Sequence, residues 1–303
     1  MDAMTWNTVI FPGLGGLRFE LDAVALTLGP LTIRWYGVII ACGVILGLLL
    51  ATRHAAKFGI TEDHVFDYIL LAVPAGILGA RGYYILFYLD FFRRADGSLD
   101  FLQMLRIQDG GLAIYGAVIV CAATLFLFCR VKGIRFLAFA DLMAFGLMLG
   151  QALGRWGNFF NIEAYGAETA LPWRMGILDR FTGLYVEVHP TFFYEFAWNL
   201  LGMLVLALIL RRFHSFDGIT CCGYFIWYGI GRFWIEALRV DSLYFFGSSI
   251  RVSQAFAALS ALAAAAVLFA LYRQYKTNPV PMYRDRAQTK TKTEEEPANG
   301  DHH

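Results

Sequence analysis

Residues 136–153 read FLAFADLMAFGLMLGQAL and run without a break into residues 154–166, GRWGNFFNIEAYG. The first stretch carries one charge, Asp141, and comes close to the roughly 20 residues that cross the hydrocarbon of a bilayer. The second sets Arg155, Asn158, Asn161 and Glu163 at the end of that apolar run. An ionisable group at the edge of hydrocarbon costs roughly 2.5 to 3.5 kcal/mol on insertion scales, so it is kept where a protein interior or a water-filled cavity uses it. Here such groups arrive as a cluster.

The rest of the chain has the same character. Of its 303 residues 58% are hydrophobic and only 16% are charged, and the mean hydropathy is +0.54, outside the range of a soluble domain. Apolar runs recur at about 33–52, 66–89, 113–130, 136–153, 191–210, 219–236 and 252–272. The expected fold class is an all-α polytopic membrane protein of about seven transmembrane helices with a small extracytoplasmic cap. Residues 1–276 form the expected membrane domain, and 277–303, polar and interrupted by proline, form an expected disordered tail ending in His302 and His303, which carry no argument. The first twenty residues lack the basic start, apolar core and cleavage site of a signal peptide.

A net charge of +1, with no basic stripe interleaved with aromatics, gives no ground for nucleic-acid binding. The five cysteines lie mostly inside apolar segments without metal-ligand spacing and read as small packing residues. No nucleotide loop, haem ligand pair or metal-binding set is present, so neither cofactor nor metal is expected. Alternate connections collect the basic residues: Arg53 and Lys57, then Arg130, Lys132 and Arg135, then Arg211 and Arg212, then the tail. By the positive-inside rule these face the cytoplasm and the N-terminus faces outward. The two longest connections, about 90–112 and 154–190, then lie on the outer side, and the second holds a β-prone stretch, Leu184 to Val188.

Four constellations can carry chemistry. If residues 154–161 stay helical, Arg155, Asn158 and Asn161 share a broad face. A guanidinium flanked by amides suits a phosphate; the plainer reading is a helix end with an arginine reaching the interface. In GRFWIEALRVD, Arg232, Glu236 and Arg239 also share a face, either as an internal ion pair that makes the helix insertable or as a two-cation surface. GGLAIYG, residues 110–116, brings Tyr115 to the outer end of the third span, where a tyrosine also serves as an interfacial anchor, as does Tyr36 in RWYG. In HPTFFYE, Pro190 opens a helix that carries Glu195, a carboxylate that demands a partner; Arg81 in GARGYY is the expected one.

Taken in order, LGPLTIRWYG, GARGYY, GGLAIYG, GRWGNFFNIEAYG, HPTFFYE, GRFWIEALRVD and RVSQ resemble the motifs of the prolipoprotein diacylglyceryl transferases, bacterial inner-membrane enzymes, over nearly the whole chain up to the tail. The resemblance implies a reaction in which the diacylglyceryl group of phosphatidylglycerol passes to the lipobox cysteine thiol of a preprolipoprotein, with a thioether formed and glycerol 1-phosphate released. It implies that Arg155, Asn158, Glu163 and Gly166 belong to the functional core of the signature, that Arg232 is the essential arginine of the sixth span, and that Tyr36, Glu236 and Arg239 match functional positions. Phosphate binding then falls to Arg155 and Arg232, with Asn158 orienting the lipid. Where many members have a histidine proposed as general base, this chain has Tyr115. A phenol ordinarily titrates near pH 10 and makes a poor base at neutrality.

Overall fold

The computed structural model describes residues 5–29, 31–94, 96–107, 110–179, 182–213, 215–242, 244 and 250–285. Its elements are strands β1 (Thr8–Phe11), β2 (Leu17–Glu20), β3 (Val24–Leu28) and β4 (Leu31–Arg34), helices α1 (Trp35–Ala55), α2 (Glu62–Phe87), the short α3 (Phe101–Leu105), α4 (Ile114–Lys132) and α5 (Phe136–Asn161), strands β5 (Met175–Leu178) and β6 (Tyr185–Val188), and helices α6 (Thr191–Phe213), α7 (Ile219–Leu238) and α8 (Val252–Thr277). They form two compact units, one of residues 1–50 and 141–281 and the other of residues 51–140 and 282–303.

The expected class holds: the chain is a helical multi-pass membrane protein. Among the described residues α1, α2, α4, α5, α6 and α8 are each long and apolar enough to cross a membrane. The remaining long helix, α7, matches the expected run 219–236 and has 20 residues. It carries Arg232 and Glu236 among its apolar residues. Such a helix is insertable only if its charges are matched by neighbours.

In the first unit α7 packs against α6 and α8. Helices α1 and α5 meet through glycines: a Cβ built on Gly43 would lie 3.5 Å from the Cα of Gly150, and one on Gly47 would lie 3.6 Å from the Cα of Gly146. Paired small residues let backbones approach where no water drives association. Helices α6 and α7 are joined by a reciprocal pair, with Trp198 Nε1 donating to the Trp227 carbonyl at 3.0 Å and Trp227 Nε1 to the Trp198 carbonyl at 2.9 Å. Gly202 and Gly231 leave the room those indoles occupy.

The same unit contains a four-stranded antiparallel sheet in the order β2-β1-β5-β6 and a β3-β4 hairpin. Only β6 falls where the sequence showed a β-prone stretch. The N-terminal strands belong to a sheet that also uses residues far along the chain, Ile10 standing opposite Gly176. Beneath the sheet Val9, Ile177 and Val188 pack with Phe159, Ile162, Tyr165 and Phe192, so its inner face rests on the end of α5 and the start of α6.

In the second unit α2 packs against α4. The helices touch at Gly79 and Gly116, where a Cβ on Gly116 would fall 2.2 Å from the Gly79 carbonyl oxygen. Of the expected tail 277–303, residues 286–303 lie outside the described residues. Residues 278–282 follow α8 without regular structure, Met282 is buried, and residues 283–285 are helical.

Candidate active site

The signature begins as the last turns of α5 and ends in a turn forced by its surroundings. Ile162 (φ 49°) and Ala164 (φ 58°) both take left-handed backbone conformations that non-glycine residues seldom adopt. Three contacts hold them there. Ile162 is buried under the sheet, the Ala164 carbonyl accepts the Thr191 hydroxyl, and the Glu163 backbone N–H donates to the Asn158 carbonyl at 3.0 Å. Strain of this kind persists only where the surroundings over-determine it, and it collects at functional sites.

That turn points the Glu163 carboxylate back along α5, where Oε1 accepts Asn158 Nδ2 at 2.9 Å and Asn161 Nδ2 at 3.0 Å. Asn158 in turn accepts Arg155 Nη1 at 3.2 Å. The face-sharing residues therefore form one chain of hydrogen bonds, from carboxylate through amide to guanidinium.

Glu195, only 5% exposed at its side chain, is the centre of the cluster. Arg155 Nε lies 3.0 Å from Oε2, Arg232 Nη1 lies 2.9 Å from Oε1, and Arg239 Nη1 stands at 3.9 Å. One buried carboxylate from α6 thus gathers the arginine of α5 and both arginines of the α7 end. Arg232 also lies 2.6 Å from Glu236, through an ion pair without hydrogen-bond alignment. Arg239 clasps Asp241 with two hydrogen bonds of 2.8 and 2.6 Å. Burial works to raise the Asp241 carboxyl, but the hydrogen bonds and charge of Arg239 outweigh it and hold the carboxyl below its ordinary range. Arg251, ahead of α8, donates to the Glu236 carbonyl, and Gln254 Nε2 donates to that of Phe233 at 2.9 Å. These caps fix the last turn of α7.

Two glycines of the signature are spaces that neighbours fill. A Cβ on Gly157 would fall 2.4 Å from Tyr36 Cδ2, so the Tyr36 ring lies directly on α5. At Gly166 a Cβ would meet His189 Cβ at 2.7 Å and the Leu238 carbonyl oxygen at 3.0 Å. The Gly166 N–H donates to the His189 carbonyl, and Gly166 makes an isolated antiparallel bridge with Arg239. The signature is thereby stitched to the α7 end. His189 Nδ1 lies 3.1 Å from the Tyr194 hydroxyl, which also accepts Trp173 Nε1 at 2.7 Å; partial burial lowers the pKa of this imidazole.

The first unit therefore brings together Arg155, Asn158, Glu163, Gly166, Arg232, Glu236 and Arg239, with Tyr36 against the same helix end. Tyr115 belongs to the second unit, in the first turn of α4, its ring centroid 6.3 Å from that of Tyr83. The expected pairing of Glu195 with Arg81 is replaced. Arg81 is buried in the second unit with its guanidinium spread over the carbonyls of Gln103, Met104, Gly110 and Gly111 at 2.7 to 3.0 Å. Sequence reading missed Glu195 as the hub and Asp241 as the partner of Arg239. A signal for the second stood in the sequence, since RVD places a carboxylate two residues after the arginine.

This arrangement can hold a phosphate. Arg155 uses Nε on Glu195 and Nη1 on Asn158, and its Nη2 makes no hydrogen bond among the described residues. With a side chain 21% exposed, against 16% for Arg232 and 13% for Arg239, it is the most open of the three cations.

A family model described as prolipoprotein diacylglyceryl transferase matches residues 23–270. The chain belongs to this family. Among curated relatives it is 38% identical over 277 residues to the phosphatidylglycerol--prolipoprotein diacylglyceryl transferase of Lysinibacillus sphaericus, covering 89% of this chain and 98% of that protein. It is 41% identical over 271 residues to the one of Listeria monocytogenes, covering 88% and 94%. It is 44% identical over 230 residues to the one of Bacillus cereus, covering 74% and 83%. The family match takes in α1 through most of α8, so every residue of the arginine and carboxylate cluster lies inside it.

Proposed function

We infer that this chain catalyses the reaction its relatives are named for, transfer of a diacylglyceryl group from phosphatidylglycerol to a prolipoprotein. This is the first step of lipoprotein maturation. The acceptor is the lipobox cysteine of the preprolipoprotein signal peptide: its sulfur attacks the lipid's glycerol carbon, the carbon–oxygen bond to the phosphate breaks, a thioether forms and glycerol 1-phosphate leaves. The thiol proton leaves as the sulfur attacks and, in the net reaction, is balanced by the phosphate oxygen freed when the carbon–oxygen bond breaks. The observation that carries the site assignment is the convergence of Arg155, Arg232 and Arg239 on the single buried carboxylate of Glu195.

Charge accumulates on the departing phosphate, and guanidinium N–H groups aimed at it before the reaction stabilise that charge without reorganising. Arg155 and Arg232 bind the phosphate. Asn158, held by Glu163, orients Arg155 and the lipid oxygen beside it. Arg239, Glu236 and the Gly166 bridge keep the α7 end in place, and Tyr36 lines the α5 end where the glycerol enters. Tyr115, in the second unit, is not an obligatory base. Basic residues at the ends of α1, α4 and α6 support a cytoplasmic position for those ends, with the signature and N-terminus on the outer side of the bacterial inner membrane.

The test is a transfer assay in detergent with phosphatidylglycerol and a lipobox peptide. Wild type yields a lipidated thiol. Arg155→Ala and Arg232→Ala lose turnover by about a hundredfold or more, the scale of one removed transition-state donor, whereas Tyr115→Phe retains it. Abolished turnover in Tyr115→Phe, with lipid binding intact, overturns the assignment of Tyr115.

A further inference from the structure

Below the arginines the polar pattern does not stop. Gln151 precedes Arg155 by one turn of α5, and on α7 Tyr228 and Tyr224 precede Arg232 by one and two turns. The two series meet, because Gln151 Nε2 donates to the Tyr224 hydroxyl at 2.8 Å. Tyr224 is 5% exposed, and Tyr228 lies against it with rings at 5.9 Å and an interplanar angle of 17°. The far end of the Gln151 amide has no such partner: Oε1 is buried and makes no hydrogen bond among the described residues. An unmet polar atom inside a membrane helix is costly to keep, and residues of this kind mark substrate paths.

We propose that the Gln151 carboxamide is a substrate-recognition group that hydrogen-bonds an acyl ester carbonyl of the diacylglyceryl moiety. This inference rests on the reading that Arg155 and Arg232 hold the lipid phosphate. In a glycerophospholipid the ester carbonyls are the only polar groups on the hydrocarbon side of the phosphate, a few covalent bonds inward. Gln151 lies one helical turn, about 6 Å, inward of Arg155. A carbonyl only accepts, so it bonds an Nε2 hydrogen of the amide and not the unmet Oε1, which is satisfied when the amide turns. As placed, Nε2 has a second hydrogen beyond the one given to Tyr224. Turned by half a rotation, Oε1 accepts the Tyr224 hydroxyl proton and both Nε2 hydrogens take the buried end. Tyr224, itself packed with Met148, Leu206 and Ala144, thus anchors one end of the amide.

The consequence is a preference for ester-linked lipid, since a site built to hydrogen-bond a group discriminates against the analogue lacking it. The full chain in mixed micelles is given a lipobox peptide and either 1,2-diacyl phosphatidylglycerol or its 1,2-di-O-alkyl analogue of equal chain length. Wild type is expected to favour the diester by about tenfold in kcat/KM, one hydrogen bond's worth of discrimination. In Gln151→Met the loss falls on the diester alone and the ratio drops to near one. A wild type that uses both lipids equally overturns the proposal, as does a Gln151→Met that slows both lipids alike. If Gln151→Met does not accumulate, Tyr224→Phe, which frees the amide, must lower the ratio, and an unchanged ratio is likewise fatal. Absence of any lipidated peptide from wild type and diester would refute the underlying reaction instead, so the two failures are told apart.

Discussion

Replacing Glu195 by glutamine keeps its volume and most of its hydrogen-bonding capacity but deletes the charge on which three arginines converge. Arg232 retains Glu236 at 2.6 Å and Arg239 retains Asp241, whereas Arg155 is left, among the described residues, with uncharged partners alone. Breaking one side of a buried ion pair costs about 3 to 5 kcal/mol, because the remaining charge is stranded. At roughly 2 to 3 °C per kcal/mol for a chain of this size, the unfolding midpoint in detergent should fall by about 6 to 15 °C. Because the destabilising element is an unmatched cation in the proposed phosphate site, phosphatidylglycerol should restore more of the lost stability in Glu195→Gln than it adds to wild type. Diacylglycerol, which lacks the phosphate, should not. A midpoint within about 2 °C of wild type would show that the arginines are matched by other means. Equal recovery with diacylglycerol would show that the lipid acts through its chains, and the phosphate assignment would fall.

Three other perturbations test separate parts of the structure. Gly157→Ala drives a methyl into the Tyr36 ring, and because Tyr36 is 40% exposed the ring can swing outward: stability should change by about 1 kcal/mol or less, while KM for the lipid rises several-fold. Arg81→Lys replaces a fork that reaches four carbonyls with a point donor, so amide hydrogen exchange across residues 103–111 should speed up by about tenfold or more, with the rest of the chain unchanged. In the folded chain the Asp241 carboxyl titrates below its ordinary value of about 3.9; the unfolded chain therefore takes up this proton first. Its contribution to stability is complete above that value and is lost as pH falls through the folded pKa. Asp241→Asn should flatten that acid limb of the melting curve against pH, and an identical limb in both proteins would count against the Arg239 to Asp241 clasp.

What the sequence made legible was governed by local periodicity. The long helices follow from apolar run length, and the Arg155, Asn158 and Arg232, Glu236 neighbours follow from helical spacing, because both are set within a few residues. Glu195 was misassigned for the opposite reason. Its partners come from α5 and α7, and no spacing along HPTFFYE distinguishes Arg155 and Arg232 from Arg81. The N-terminal strands escaped notice for a similar reason, since β1 finds one of its neighbours in β5, far along the chain. Gly157 and Gly166 could be seen as small but not as spaces reserved for Tyr36 and His189.

The carboxylates also change how the arginines act. Three guanidiniums are met by Glu195, Glu236 and Asp241, with Glu163 one amide further on. Such a cluster offers no large excess of positive charge with which to deprotonate a distant thiol. It offers direction: each guanidinium is fixed by a carboxylate, so the N–H groups that remain are pre-aimed and need not reorganise when the leaving phosphate gains charge. Binding a phosphate at a balanced site is also readily reversed, which suits an enzyme that must release glycerol 1-phosphate after every turnover. Under the proposed assignment the arginines accelerate departure of the leaving group rather than attack by the sulfur, and their loss should lower kcat even with a peptide whose nucleophile is already ionised at the assay pH.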